Sequence, residues 1–125
     1  MTGRIAHYPS ETPITAYGNG GFRFADMSHK GSILCLPSGI FAWQVSDPNQ
    51  LTAHDLAFVI ESLSAPTVLL LGTGATQVWP DEALSRAFLD ANLGLEVMST
   101  GAAARTYNVL LAEKRRVAAA LIAVP

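Results

Sequence analysis

The sequence predicts an α/β fold: a single three-layer domain over residues 1–125, with a mixed β-sheet, N-terminal antiparallel hairpins and a C-terminal β-α-β-α-β unit. Two observations carry this. Residues 14–46 are short apolar stretches divided by turn residues, Gly18-Asn19-Gly20-Gly21 and Pro37-Ser38-Gly39, the signature of hairpins. Beyond residue 52 strand-like and helix-like stretches alternate, which implies parallel strands joined by right-handed crossovers. The 125-residue length fits one core without staples.

Residues 1–13 read as an extended segment. Ile14 and Ala16 then lead into the glycine turn, and Phe22 and Phe24 follow it as the second strand of a hairpin. A second hairpin comprises residues 32–36, the Pro-Ser-Gly turn and residues 40–45, in which Trp43 alternates with Phe41 and Val45 and belongs to the core. Thr52 with Asp55 three residues on makes a shortened capping box for a helix over 53–63, whose buried stripe is Leu56, Val59, Ile60 and Leu63. The β-branched and leucine run 67–71 is a strand buried on both faces. A helix over 80–92 follows, with Leu84, Ala87, Phe88 and Ala91 on one side and Gly94 just past its end. Residues 95–98 form a strand, 100–114 a helix with Ala104, Tyr107, Leu110 and Leu111 on its stripe, and 117–124 the last strand.

Half of the residues are apolar and 14% are charged, against about 25% charged in an average soluble domain. Either the core is large or a partner covers part of the surface. Eight Lys and Arg against ten Asp and Glu, with Lys114-Arg115-Arg116 as the one cluster, give no basic face for nucleic acid. Such a cluster at a helix end is read as a dipole partner. Cys35, flanked by Leu34 and Leu36, is read as an inert buried thiol. The opening residues lack a signal-peptide core, and the longest apolar run, 117–124, is far short of a membrane span, so a cytoplasmic protein without membrane insertion is expected.

Chemistry centres on "LLLGTGATQVWP", Leu69 to Pro80. Gly72 and Gly74 supply the first two glycines of a dinucleotide fingerprint, but Gln77 takes the third place, Pro80 delays the helix, and Leu95–Met98 does not end in an acidic residue. No Gly-Lys-Ser/Thr makes a phosphate loop. The default role of the glycines is a sharp strand exit. The functional alternative is a pocket at two strand ends, Gly72-Thr73-Gly74 and Ser99-Thr100-Gly101, exposing amides and hydroxyls, with Arg105, Thr106 and Asn108 on the helix beyond. Arg105 either reaches an anion there or closes a structural network. His7, His29 and His54 lie in a tail, a turn and a helix start, without metal spacing. No G-x-S-x-G elbow exists, so neither catalytic residues nor cofactors are assigned. Trp79, in a loop before a proline, is read as a lid on the core in preference to its other role, an interface anchor.

Taken together, "LLGTG" at 70–74 and "VMSTGAAARTYNVLLAEKRRVAAALI" at 97–122, with "ITAYGNGGFRF" and "GSILCLPSGIFAW" matching more loosely, resemble a family of small α/β domains. That family includes the mitochondrial assembly factor three of respiratory complex I and bacterial and archaeal proteins of unassigned activity. The specific part is A-x-R-T-Y-N-x-L-x-x-E, Ala103 to Glu113. The pattern falls on Gly72, Gly74, Thr100, Ala103, Arg105, Thr106, Tyr107, Asn108, Leu110, Glu113 and Arg115; Lys114 stands where the family commonly has a glycine. The resemblance implies a three-layer α/β domain with a mixed sheet, no established enzymatic activity and, in eukaryotes, a role in complex I assembly.

The leading expectation is therefore a non-enzymatic interaction or assembly module whose partner is another protein, complex I subunits or assembly proteins among them. A small-molecule or anion-binding domain at the two loops is the alternative. A homo-oligomer formed through an apolar edge is a third expectation.

Overall fold

The computed structural model describes residues 5–125, so the first four residues of the expected extended segment lie outside the described residues. A five-stranded sheet forms the middle layer. Its strands are β4 (Ser32–Leu36), β5 (Gly39–Trp43), β6 (Val68–Gly72), β7 (Gly94–Met98) and β8 (Val117–Leu121), in the order β5-β4-β8-β6-β7. β8 runs antiparallel to β4 and parallel to β6, and β6 runs parallel to β7, so the sheet is mixed as the sequence predicts.

Period-two alternation divides the core between the two faces. Leu34, Leu36, Leu69, Leu71, Ala118 and Ala120 point toward α1 (Ala57–Ser62) and α2 (Glu82–Asp90), meeting Val59, Leu84 and Phe88. Ile33, Cys35, Leu70, Val117, Ala119 and Leu121 point the other way, toward α3 (Thr100–Ala112) and a small antiparallel sheet. That sheet has three strands in chain order, β1 (Ala16–Gly18), β2 (Gly21–Phe24) and β3 (Met27–Lys30). Helices on one face, and a helix with a small sheet on the other, make the three layers.

Local departures from the sequence reading have identifiable causes. The β1–β2 turn is the expected one, with Asn19 and Gly20 both at positive φ, the primed geometry that suits hairpins. β3 is a strand that the sequence reading leaves out, placing His29 in a turn. Its Met-Ser-His-Lys stretch is mostly exposed, and its turn from β2 puts Ala25 and Asp26 at positive φ without glycine.

The helix expected over 53–63 is a 3-10 turn at Ala53–Leu56 followed by α1, because Leu56 leaves helical geometry at φ −114° and ψ 11°. Its capping pair does form: the Thr52 N–H donates to the Asp55 carboxylate at 2.8 Å. α2 is shorter than expected, and Asn92, at φ 59°, turns the chain out of it; Gly94 instead opens β7. α3 ends through Lys114 at φ 60°, with the Arg115 N–H donating to the Leu110 carbonyl at 3.0 Å, so the left-handed exit survives without a glycine. The last strand stops at Leu121. Trp43 is buried, its indole N–H donating to the Asp55 carbonyl at 3.0 Å. Arg116 serves as a clamp, donating to the Pro66 and Ser64 carbonyls at 2.8 and 2.9 Å.

Candidate functional site

The carboxyl ends of β6 and β7 stand side by side, as the sequence reading requires. Their glycines have separate jobs. A Cβ on Gly72 would lie 2.8 Å from Thr100 Cα and 3.0 Å from a Leu121 methyl, so only glycine lets the end of β6 approach the start of α3. Gly74 has open space around it but sits at φ 106°, which disfavours any side chain. The first glycine permits a close approach and the second a backbone turn.

The threonine hydroxyls of both loops point inward, contrary to the expectation that they are exposed, whereas Ser99 is half-buried. Thr100, fully buried, accepts from the Gly74 N–H at 2.9 Å and donates to the Ile122 carbonyl at 2.7 Å. The Thr100 N–H returns to the Gly74 carbonyl at 2.8 Å. Thr73, also buried, donates its hydroxyl to the Thr76 carbonyl at 2.8 Å and accepts from the Val78 N–H at 2.9 Å. Its own N–H donates to the Met98 carbonyl at 2.9 Å. Ser99 caps α3 by accepting from the Ala102 N–H at 3.3 Å. The donors that an anion would need are largely engaged within the fold.

Of the predicted pocket residues, Gly74 and Arg105 line one shallow cavity of about 340 Å³, together with Tyr17, Ser99, Gly101 and Pro125. Arg105 is exposed and its guanidinium donates to the Tyr17 hydroxyl at 3.2 Å. Tyr17 itself lies over the first turn of α3, so close that a Cβ on Gly101 would meet its hydroxyl. Asn108 stands elsewhere, clamping the β1 lead-in: it accepts from the Ile14 N–H at 2.8 Å and donates to the Ile14 carbonyl at 2.7 Å. Thr106 is half-buried on α3 outside that cavity. Tyr17 is the member that sequence reasoning missed; its only signal was an aromatic beside a glycine turn.

Buried titratable groups belong to the layer beneath. Burial pushes the Cys35 thiol well above its ordinary value, which keeps it protonated and inert. Burial, then the proximity of Cys35 and Glu11, raises the Tyr107 phenol far above its usual range. Among the described residues the Tyr107 hydroxyl has no hydrogen-bond partner. His29, its ring 4.9 Å from that of His7, is held below the ordinary histidine value by desolvation first and the His7 charge second, against a hydrogen bond to the Ser32 backbone.

Trp79 is 73% exposed, so it is not a lid on the core. With Leu89 (70% exposed), Gln77, Leu93, Leu95 and Val97 it lines an open groove of about 570 Å³ between α2 and the free edge of β7. Gln77 reaches that edge by donating its side-chain amide to the Val97 carbonyl at 2.8 Å. Neither Gln77 nor Leu89 carries a sequence signal for this place, because the position of β7 at the sheet edge depends on the strand order.

Comparison with known proteins places this geometry among relatives. Residues 14–122 match the family described as a protein of unknown function (DUF498/DUF598). An uncharacterised protein of Rhodobacter capsulatus is 35% identical over 100% of this chain and 95% of its own. The NADH dehydrogenase (ubiquinone) 1 alpha subcomplex assembly factor 3 of Danio rerio is 31% identical over 91% of this chain, which spans 66% of that longer protein. A crystal structure described as an outer membrane protein from Bartonella henselae is 50% identical, with a TM-score of 0.90, covering 95% of this chain and 100% of that one.

Proposed function

From the premise that this chain belongs to the DUF498/DUF598 family, we propose that it is a non-enzymatic interaction module that assists the assembly of respiratory complex I. The observation that carries this reading is the similarity, across nine-tenths of the chain, to a protein named as an assembly factor of NADH dehydrogenase. Two structural features support it. The Thr73 and Thr100 hydroxyls and the Gly74 amide at the β6 and β7 ends are spent on the fold. The large exposed side chains Trp79 and Leu89 share one groove, where an aromatic anchor suits a protein partner. The partner in this reading is a complex I subunit or assembly protein, met in the cytoplasm; no helix among the described residues is long and apolar enough to cross a membrane.

Deleting the gene in a host that makes complex I tests the proposal. The expected result is less full-size complex on a native gel with accumulation of a partial assembly, restored by the wild-type chain. Unchanged complex I in the deletion strain would overturn it. The anion-binding alternative keeps one supporting feature, the exposed Arg105 on its shallow cavity, and its test is among the predictions below.

A further inference from the structure

β7 is an edge strand with half of its backbone unused. The Gly94 N–H donates to the Thr67 carbonyl at 2.9 Å and the Met98 carbonyl accepts from the Thr73 N–H at 2.9 Å. Residues 94, 96 and 98 therefore direct their backbone groups to β6, and residues 95 and 97 direct theirs to the open edge. The bond from Gln77 to the Val97 carbonyl confirms that direction and covers that one group. The Leu95 N–H and carbonyl and the Val97 N–H have no partner among the described residues. At the opposite edge, by contrast, β5 is bridged by the chain itself, with the Ile40 N–H donating to the Tyr8 carbonyl at 2.9 Å.

Side chains set the chemistry of what can lie along β7. Leu95 and Val97 face the α2 side, where the exposed Trp79 and Leu89 extend the apolar wall. Glu96, between them, faces the α3 side and is exposed. The one salt bridge among the described residues joins Arg115 to Glu113, leaving Glu96 without a cation. A second copy docked two-fold about Glu96 would set Glu96 against its own image, which is unfavourable between directly opposed strand positions.

We propose that β7 accepts an extended segment of a different protein as a sixth strand. That segment carries two apolar residues, two positions apart, against Trp79 and Leu89, and a lysine or arginine between them opposite Glu96. The Leu95 N–H and carbonyl and the Val97 N–H supply the affinity and the alternating side chains the selectivity. This deepens the assembly reading, since it says how the partner is held.

Selection of random ten-residue peptides on the purified full chain tests it. The expected winners alternate apolar residues around a Lys or Arg, and when bound they slow hydrogen exchange at the Leu95 and Val97 amides. Glu96→Lys weakens a lysine-bearing winner by about three- to tenfold, as reversing a cross-strand pair should, and turns selection toward Asp or Glu at that position. Val97→Pro removes an outward N–H without touching the β6 ladder and abolishes binding. Winners that leave both amides unprotected, or a selection indifferent to Glu96→Lys, overturn the proposal. So does a dimer in solution that Val97→Pro dissolves, because the occupant is then a second copy. The two readings fail separately: normal complex I in the deletion strain together with peptide binding at β7 sinks only the assembly role. Failed assembly in the deletion strain, rescued fully by Val97→Pro, sinks only the sixth strand.

Discussion

Thr100→Val and Thr100→Ser separate a structural hydroxyl from a ligand-binding one. Valine keeps the shape of threonine but removes the group that accepts from the Gly74 N–H and donates to the Ile122 carbonyl, both within the buried junction of β6, α3 and β8. Each buried polar group left without a partner costs about 1–3 kcal/mol, so the valine variant, which orphans two, should lose roughly 2–6 kcal/mol. Serine keeps both hydrogen bonds and gives up one buried methyl, a loss of about 1 kcal/mol. Folded domains have about 5–15 kcal/mol in hand, so the valine change removes a large share and serine does not. Urea unfolding of the three chains measures the order directly. Apolar burial alone predicts valine above serine; the hydrogen-bonded junction predicts serine above valine. A Thr100→Val chain as stable as wild type, or more stable than Thr100→Ser, would refute the assignment of this hydroxyl to the fold.

Four further outcomes follow from named atoms. Lys114→Gly relieves a left-handed residue at the end of α3 and should raise stability by about 1 kcal/mol, read as a higher melting temperature; a lower one would mean that the lysine side chain has a role there. Tyr107→Phe removes a buried hydroxyl with no partner among the described residues and should leave stability equal or higher; a loss above about 1 kcal/mol would show that a buried water or ligand satisfies it. His29 should titrate below 6.5 by NMR. Because the unfolded chain then binds the extra proton first, stability is complete above pH 6.5 and falls as the pH drops from there through the lower folded-state value; His29→Asn should flatten this slope, and an unchanged slope would assign it to another group. If the alternative anion site exists, phosphate raises the melting temperature and Arg105→Ala abolishes the rise; the engaged donors around Gly74 lead us to expect no rise in either chain.

Much of this architecture was legible because its causes are local. The Asn19-Gly20 turn, the Thr52–Asp55 pair and the leucines of β6 each act within a few residues, and sequence spacing records them. β3 escaped notice because it buries little and turns through Ala25 and Asp26 without the usual glycine. The candidate site was half legible. Gly72, Thr73, Gly74 and Thr100 do converge, but the direction of their hydroxyls depends on Ile122, Thr76 and Val78, which the chain brings in from other elements or from the far side of the loop. Arg105 and Tyr17 lie 88 residues apart, and no periodicity links them.

Strand order explains why the obvious place for a ligand is closed and why the exposed apolar groove lies to the side, along β7. From β6 the chain crosses by α2 to β7 on one side, then by α3 back to β8 on the other, with the two helices on opposite faces of the sheet. The switch point of such a sheet lies between β6 and β8 at their carboxyl ends, where open α/β sheets hold their ligands. Here the Ile122 N–H donates to the Gly72 carbonyl at 2.9 Å and the Thr100 hydroxyl fills the remaining gap, so protein groups occupy the crevice. The same crossovers leave β7 as the last strand on its side, with the Leu95 and Val97 backbone groups directed to the open edge and their half-buried side chains beside Trp79. This topology closes its crevice with its own groups and leaves one edge with unpaired backbone, the two features on which the proposed partner-binding reading rests.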